Sequence, residues 1–137
     1  MGVEWVSRLQ SMIFSRVKNE FSETLKTKYK MTNSNFSTVG SSDTPAVFPF
    51  VYVEELESPE IGNDLEGIDT NGLRYSVRIH VSDNKSQTNA KNVAYEVRRI
   101  MKSMRFSCGT PIPQNVVNNI HSYVLQCSRV IGNGDIL

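Results

Sequence analysis

Two histidines and two cysteines, His80, His121, Cys108 and Cys127, are the residues best suited to nucleophilic or metal chemistry. A metal site needs ligands gathered on one face, and neither histidine stands in an HxxxH, HxxE or HExxH pattern that would do this. A single histidine on a strand usually serves surface or packing. The cysteines lie 19 positions apart with no CxxC pair, and they read as reduced, partly buried thiols of a protein assembled in a reducing cytoplasm. His121 could meet either thiol in the fold, but no local signature activates one. The chain has no GxSxG elbow, P-loop or GxGxxG turn, and Gly132-Asn133-Gly134 reads as part of a mobile end rather than a phosphate cradle. The expectation is a protein without catalytic residues, metal or cofactor.

Charge is the more informative signal. The formal net charge is +1, so the molecule as a whole has no strong field for nucleic acid or anionic lipid. Yet Met31 to Leu73 contains no Lys or Arg and holds eight of the chain's fourteen acids: Asp43, Glu54, Glu55, Glu57, Glu60, Asp64, Glu66 and Asp69. The string DLEGID lacks the spacing of a calcium loop; a hairpin whose acids avoid anions is one further reading, and a solvent-facing or partner-binding loop whose acids only keep it soluble is another. Arg98, Arg99, Lys102 and Arg105 cluster where a helix is predicted to end and where cations suit the helix dipole.

The elements that would carry these residues follow from periodicity. Val6, Leu9, Ile13, Val17, Phe21 and Leu25 recur every three or four positions with no Gly or Pro, which predicts one helix of about seven turns from Val3 to about Lys28. Trp5, Met12 and Phe14 widen its apolar stripe and suggest contact with more than one surface. Asn33 to Thr44 predicts a short edge strand inside loops, with Phe36 and Val39 as its large apolar residues. Val47 to Glu54 is β-branched and aromatic, a strand with antiparallel neighbours expected. Leu73, Tyr75, Val77, Ile79 and Val81 alternate with polar residues, the pattern of a sheet with one wet face. Residues 57–72 link these two strands and end in Asn71-Gly72, a pair that closes hairpins.

Ser86 or Thr88 can cap a second helix in which Ala90, Val93, Ala94, Val97, Ile100, Met101 and Met104 share one face. Burying that face contributes on the order of 10 kcal/mol, so it must lie on the sheet. Arg105 to Cys108 predicts a short strand stopped by Pro111 and Pro113. Ile120 to Ile131 predicts a last strand with Tyr123, Leu125, Cys127, Arg129 and Ile131 on one side. The tail 132–137 is expected to be mobile.

At 137 residues, 39% apolar and 21% charged, the chain predicts a single soluble α+β domain over 1–137. Its expected form is two layers, a mainly antiparallel sheet of about four to five strands against two helices. The N-terminal residues lack the pattern of a secretory signal, and no stretch has the length of a membrane span.

The order of elements, with FPFVYVEEL, LRYSVRIHVSDNKSQTNAKNVAYEVRRIMKSMRF and PIPQNVVNNIHSYVLQCSRVIG, resembles the tail terminator, or tail completion, proteins of long-tailed bacteriophages over about residues 3–131. The shared features are an FPxVxxEE string, a strand followed by SxNK and a helix, and a last strand carrying Arg129. The chain departs from that pattern in its long 57–72 insert and in Ser122 and Cys127. The resemblance implies a virion protein, assembled in the host cytoplasm, that forms a hexameric ring on the tail tube. It would end tube growth and join the tail to the head connector or stopper protein, with DNA passing through without sequence-specific binding. Under that reading Glu54, Glu55, Glu57, Glu60, Asp64, Glu66 and Asp69 face the channel. Trp5, Met12, Phe14, Arg98, Arg99 and Lys102 are then candidate contacts with neighbouring tube, connector or sister subunits. A head-completion or minor capsid protein of the neck, and a small ligand-binding or enzymatic α+β domain, stay open as alternatives.

Overall fold

A computed structural model describes residues 8–38, 47–57, 60–61, 72–132 and 137. Three helices are present among them: α1 (Leu9–Glu20), α2 (Glu23–Tyr29) and α3 (Gln87–Ser103). Three strands of useful length are β2 (Phe50–Glu55), β4 (Gly72–Asp83) and β7 (His121–Gly132). Four more have two residues each: β1 (Phe36–Ser37), β3 (Glu60–Ile61), β5 (Ser107–Cys108) and β6 (Ile112–Pro113). The fold is α+β, with strand order β1-β2-β4-β7-β5, β3 extending along β4 and β6 along β7.

The core follows the two cleanest sequence patterns. Leu73, Tyr75, Val77, Ile79 and Val81 of β4 are buried, as are Val51, Val53, Tyr123, Leu125, Cys127 and Ile131 beside them. Against this face lies α3, which buries Ala90, Val93, Ala94, Val97, Ile100 and Met101. From α1, Leu9, Ile13 and Val17 complete the same core. Ser86 caps α3, its hydroxyl accepting from Asn89 N–H at 3.1 Å. The buried Asp83 carboxylate fixes the approach by accepting from Lys85 and Ser86 N–H at 3.0 and 2.9 Å.

The single first helix expected from Val3 to about Lys28 is instead two, and residues 3–7 lie outside the described residues. Phe21 turns extended between α1 and α2, at ψ 140°. Its ring is buried and meets Phe36 edge-on at 5.5 Å between centroids. Ser22 then restarts the helix as an N-cap, and its N–H donates to Glu96 Oε2 on α3 at 2.9 Å. An aromatic anchor and a capping serine outweigh the continuing three-to-four spacing.

Helices α2 and α3 end alike. Lys30 and Arg105 adopt positive φ, 55° and 68°. Met31 N–H donates to Lys26 O at 2.8 Å and Phe106 N–H to Met101 O at 3.1 Å. These are Schellman endings whose next residue, Met31 or Phe106, enters the core.

Three other expectations are corrected. First, β1 pairs β2 in parallel, Phe36 opposite Val51, where an antiparallel neighbour was expected. Residues 38–49 are long enough for the crossover that parallel pairing needs, and the buried Asn35 amide ties the two strand starts by donating to Pro49 O at 2.6 Å. Second, the sheet holds seven strands among the described residues rather than four or five, because β3 and β6, of two residues each, carry too few positions to show alternation. Third, Ile112-Pro113, expected to end a strand, is itself β6 and pairs with Val124 and Tyr123. An edge position tolerates proline because the missing donor faces outward.

Of the tail expected to be mobile, Gly132 closes β7 and Leu137 is half-buried against the core, its carbonyl accepting from Arg16 Nη1 at 2.8 Å. On β7, Arg129 reaches the end of α3 and donates to Met104 O at 3.1 Å.

Candidate functional site

Both helices of the core pack on one face of the sheet, so the other face keeps its side chains half-exposed or exposed. Cross-strand register sets them in rows. Tyr52, His80, Val124 and Ile112 form one row across β2, β4, β7 and β6, and Glu54, Arg78 and Gln126 form the next. Tyr52 stacks on His80 at 5.2 Å between centroids, with 20° between planes. Glu54 Oε1 lies 2.8 Å from His80 Nε2 and 3.8 Å from Arg78 Nη1. Alternation on β2 and β4 builds this polar cluster, each residue being directly or diagonally opposite the next.

That geometry divides the acidic segment. Glu54 is paired with Arg78 and lies in hydrogen-bond reach of His80, while the exposed Glu55 accepts from Tyr75 OH at 2.6 Å. Glu57 is exposed, and Glu60 opens β3 opposite Leu73. Asp64, Glu66 and Asp69 lie outside the described residues, as does Trp5.

The Tyr75 hydroxyl is pushed well above the ordinary tyrosine range, first by burial, then by its hydrogen bond to Glu55 and that carboxylate's charge. A phenol held protonated in the fold but free to ionise when unfolded favours the native state fully below about pH 10. It loses that advantage as pH rises further towards the folded value. Thermal melts of Tyr75→Phe should therefore fall less steeply above about pH 10 than those of the native chain, and parallel curves would reject this role.

The expected basic cluster is largely engaged within the fold. Arg98 Nε donates to Gly109 O at 3.0 Å. Arg99 forks onto Glu96 at 2.6 and 2.9 Å and reaches Glu20 O at 3.3 Å, joining α3 to the end of α1. Lys102 is exposed. Phe14 is half-buried under the Lys18 ammonium, and Met12 is 45% exposed. A different group of cations, Lys28, Lys30 and Lys85, lines a pocket of about 270 Å³ beside Phe48 and Asn89.

One feature was hidden from sequence reasoning. Residues 112–124 fold into a hairpin along the outer edge of β7, with Gln114 N–H donating to Ser122 O at 2.9 Å. Its tip is a two-residue turn, Asn118 and Asn119 both at positive φ, with Val117 and Ile120 exchanging hydrogen bonds at 3.3 and 2.9 Å. The type I′ turn suits this twist, and asparagine tolerates positive φ. The hairpin holds out Ile112, Val116 and Val117, which are 60%, 56% and 61% exposed. The signal was Asn-Asn between β-branched residues, masked by the prolines before it. On the helical layer, Met12 and Tyr95 are also exposed.

Among the described residues, no three His, Cys, Asp or Glu gather as a metal site, and no helix is long and apolar enough to cross a membrane. The chain matches no model of a known protein family and none of the curated proteins with which it was compared.

Proposed function

We propose that this chain is a structural ring component of a bacteriophage tail, seated at the end of the tube, where it ends growth and joins the tail to the head connector. The observation that carries the reading is the β6–β7 hairpin. Three large β-branched side chains held in water on one two-stranded arm form an apolar patch of the kind that marks an interaction surface. The arm and the exposed Met12 and Tyr95 of the helical layer are dissimilar surfaces on one domain. Dissimilar surfaces meet head to tail, and such contacts close into rings when the rotation permits. In this reading the partners are sister subunits, the tube protein and the connector or stopper protein. In the same reading the acids from Glu57 to Asp69, beyond the paired Glu54 and Glu55, would border the DNA passage, where repeated negative charge opposes adhesion of the phosphate backbone.

The test is to produce phage lacking only this chain. The expected result is tails of uncontrolled length that do not join heads, with both defects repaired when the chain is supplied. Tails of normal length joined to heads would overturn the proposal.

A further inference from the structure

We infer that Cys108 and Cys127 form a redox-active pair, a site of thiol–disulfide exchange with small disulfides at the base of the β6–β7 hairpin. The two residues are distant in sequence, but β5 pairs antiparallel with β7 and sets Cys108 directly opposite Cys127. The next pair along, Gly109 and Gln126, is hydrogen-bonded, Gly109 N–H donating to Gln126 O at 3.1 Å. Hydrogen-bonded and non-hydrogen-bonded pairs alternate, so Cys108 and Cys127 occupy a non-hydrogen-bonded pair. Cα atoms in such a pair are about 4.5 Å apart and the side chains leave the sheet on the same side. That separation falls within the range of about 4.4–6.8 Å that a disulfide spans. Both thiols are unbridged in this structure.

The pair is asymmetric. Cys127 is 1% exposed and belongs to the core, whereas Cys108 is half-buried at the edge. The Cys108 thiol is shifted below the ordinary cysteine range, first by its hydrogen bond with Cys127, against the upward pull of its partial burial, and then by the charges of Arg98 and Lys102. Cys127 is pushed upward by the same hydrogen bond and by burial. Arg98 is fixed there by its bond to Gly109 O. A part-exposed thiol whose ionisation neighbouring cations favour is the more reactive of the two, and its buried neighbour is placed to resolve the product.

The exchange balances. Cys108 thiolate attacks one sulfur of a low-molecular-weight disulfide, forming a mixed disulfide and releasing one small thiolate, which takes up the proton that Cys108 lost. Cys127, as its thiolate, attacks Cys108 Sγ and expels the second small thiolate, which takes up the Cys127 proton. The protein loses two electrons and two protons, and the small disulfide gains both. Because the hairpin carrying Ile112, Val116 and Val117 lies between these cysteines in the chain, the bridge closes a loop at its base.

The test treats the native chain with oxidised glutathione and follows intact mass and iodoacetamide labelling. The expected result is loss of both labelled thiols together, a mass decrease of two hydrogens, and no lasting glutathione adduct. Cys127→Ala should accumulate the adduct on Cys108, and Cys108→Ala should stay unmodified until denaturant exposes Cys127. Circular dichroism of each variant establishes that it is folded. Persistence of both thiols in the native chain, a stable adduct without closure, or equal reactivity of Cys127 in folded Cys108→Ala overturns the pair. If Cys127→Ala does not fold, the native chain and Cys108→Ala decide the matter.

Discussion

Val97→Asp should leave the domain unfolded at room temperature. Val97 is fully buried on α3, the helix that covers β4 and β7. A carboxylate there loses its water and has no designed partner, which costs several kcal/mol even if it takes up a proton. A domain of this size is stable by about 5–15 kcal/mol in total, so the one substitution consumes most or all of that margin. Val97→Ala removes only methyl groups and should cost about 1–3 kcal/mol, leaving a folded chain with a lower melting temperature. The measurement is a thermal melt followed by far-ultraviolet circular dichroism. A Val97→Asp melt equal to that of the native chain would mean that α3 does not pack on the sheet through this face.

The second large effect concerns assembly rather than folding. If the proposed ring is right, changing Ile112, Val116 and Val117 together to Asp should cut incorporation into tails about tenfold or more while the isolated chain stays folded. All three are more than half exposed, and surface changes of this kind usually alter stability by about 0.5 kcal/mol each. At a subunit contact the same side chains act as buried anchors, where truncation commonly costs about 2 kcal/mol or more. Each change is repeated at every subunit of a ring. The yield of complete particles should fall about tenfold or more, since about 1.4 kcal/mol already corresponds to tenfold in an equilibrium. Normal particle yield with the folded triple variant would show that the hairpin is not a contact surface.

The contrast between these two predictions reflects what a single sequence carries. The β4 alternation from Leu73 to Val81 and the α3 face from Ala90 to Met104 were legible because burial imposes a strict period on long elements. The break at Phe21 was not. The three-to-four spacing continues across it, and only the pairing of Phe21 with Phe36 and of Ser22 with Glu96 shows why the chain turns. Parallel pairing of β1 with β2 depends on Asn35 reaching Pro49, a contact without a local signature.

The candidate site was legible in charge but not in pairing. Glu54 and Glu55 belong to the acidic run by composition, yet register gives Glu54 to Arg78 and His80, and Glu55 to Tyr75. Arg98 and Arg99 resemble a surface patch in sequence and serve mostly as internal ties. Exposure of Ile112, Val116 and Val117 could not be foreseen, because the prolines beside them suggested an ending where the structure continues a hairpin. Cys108 and Cys127 become neighbours only through the register of β5 on β7.

The central proposal, a closed ring at the tube end, is tested most directly by electron cryomicroscopy of purified, complete tails. The predicted result is several copies of this domain arranged around the tube axis at one end, six if the ring follows the tube's symmetry, with the β6–β7 hairpin of each seated on its neighbour or on the adjoining tube. A single copy, or a tube end without this chain, would contradict it.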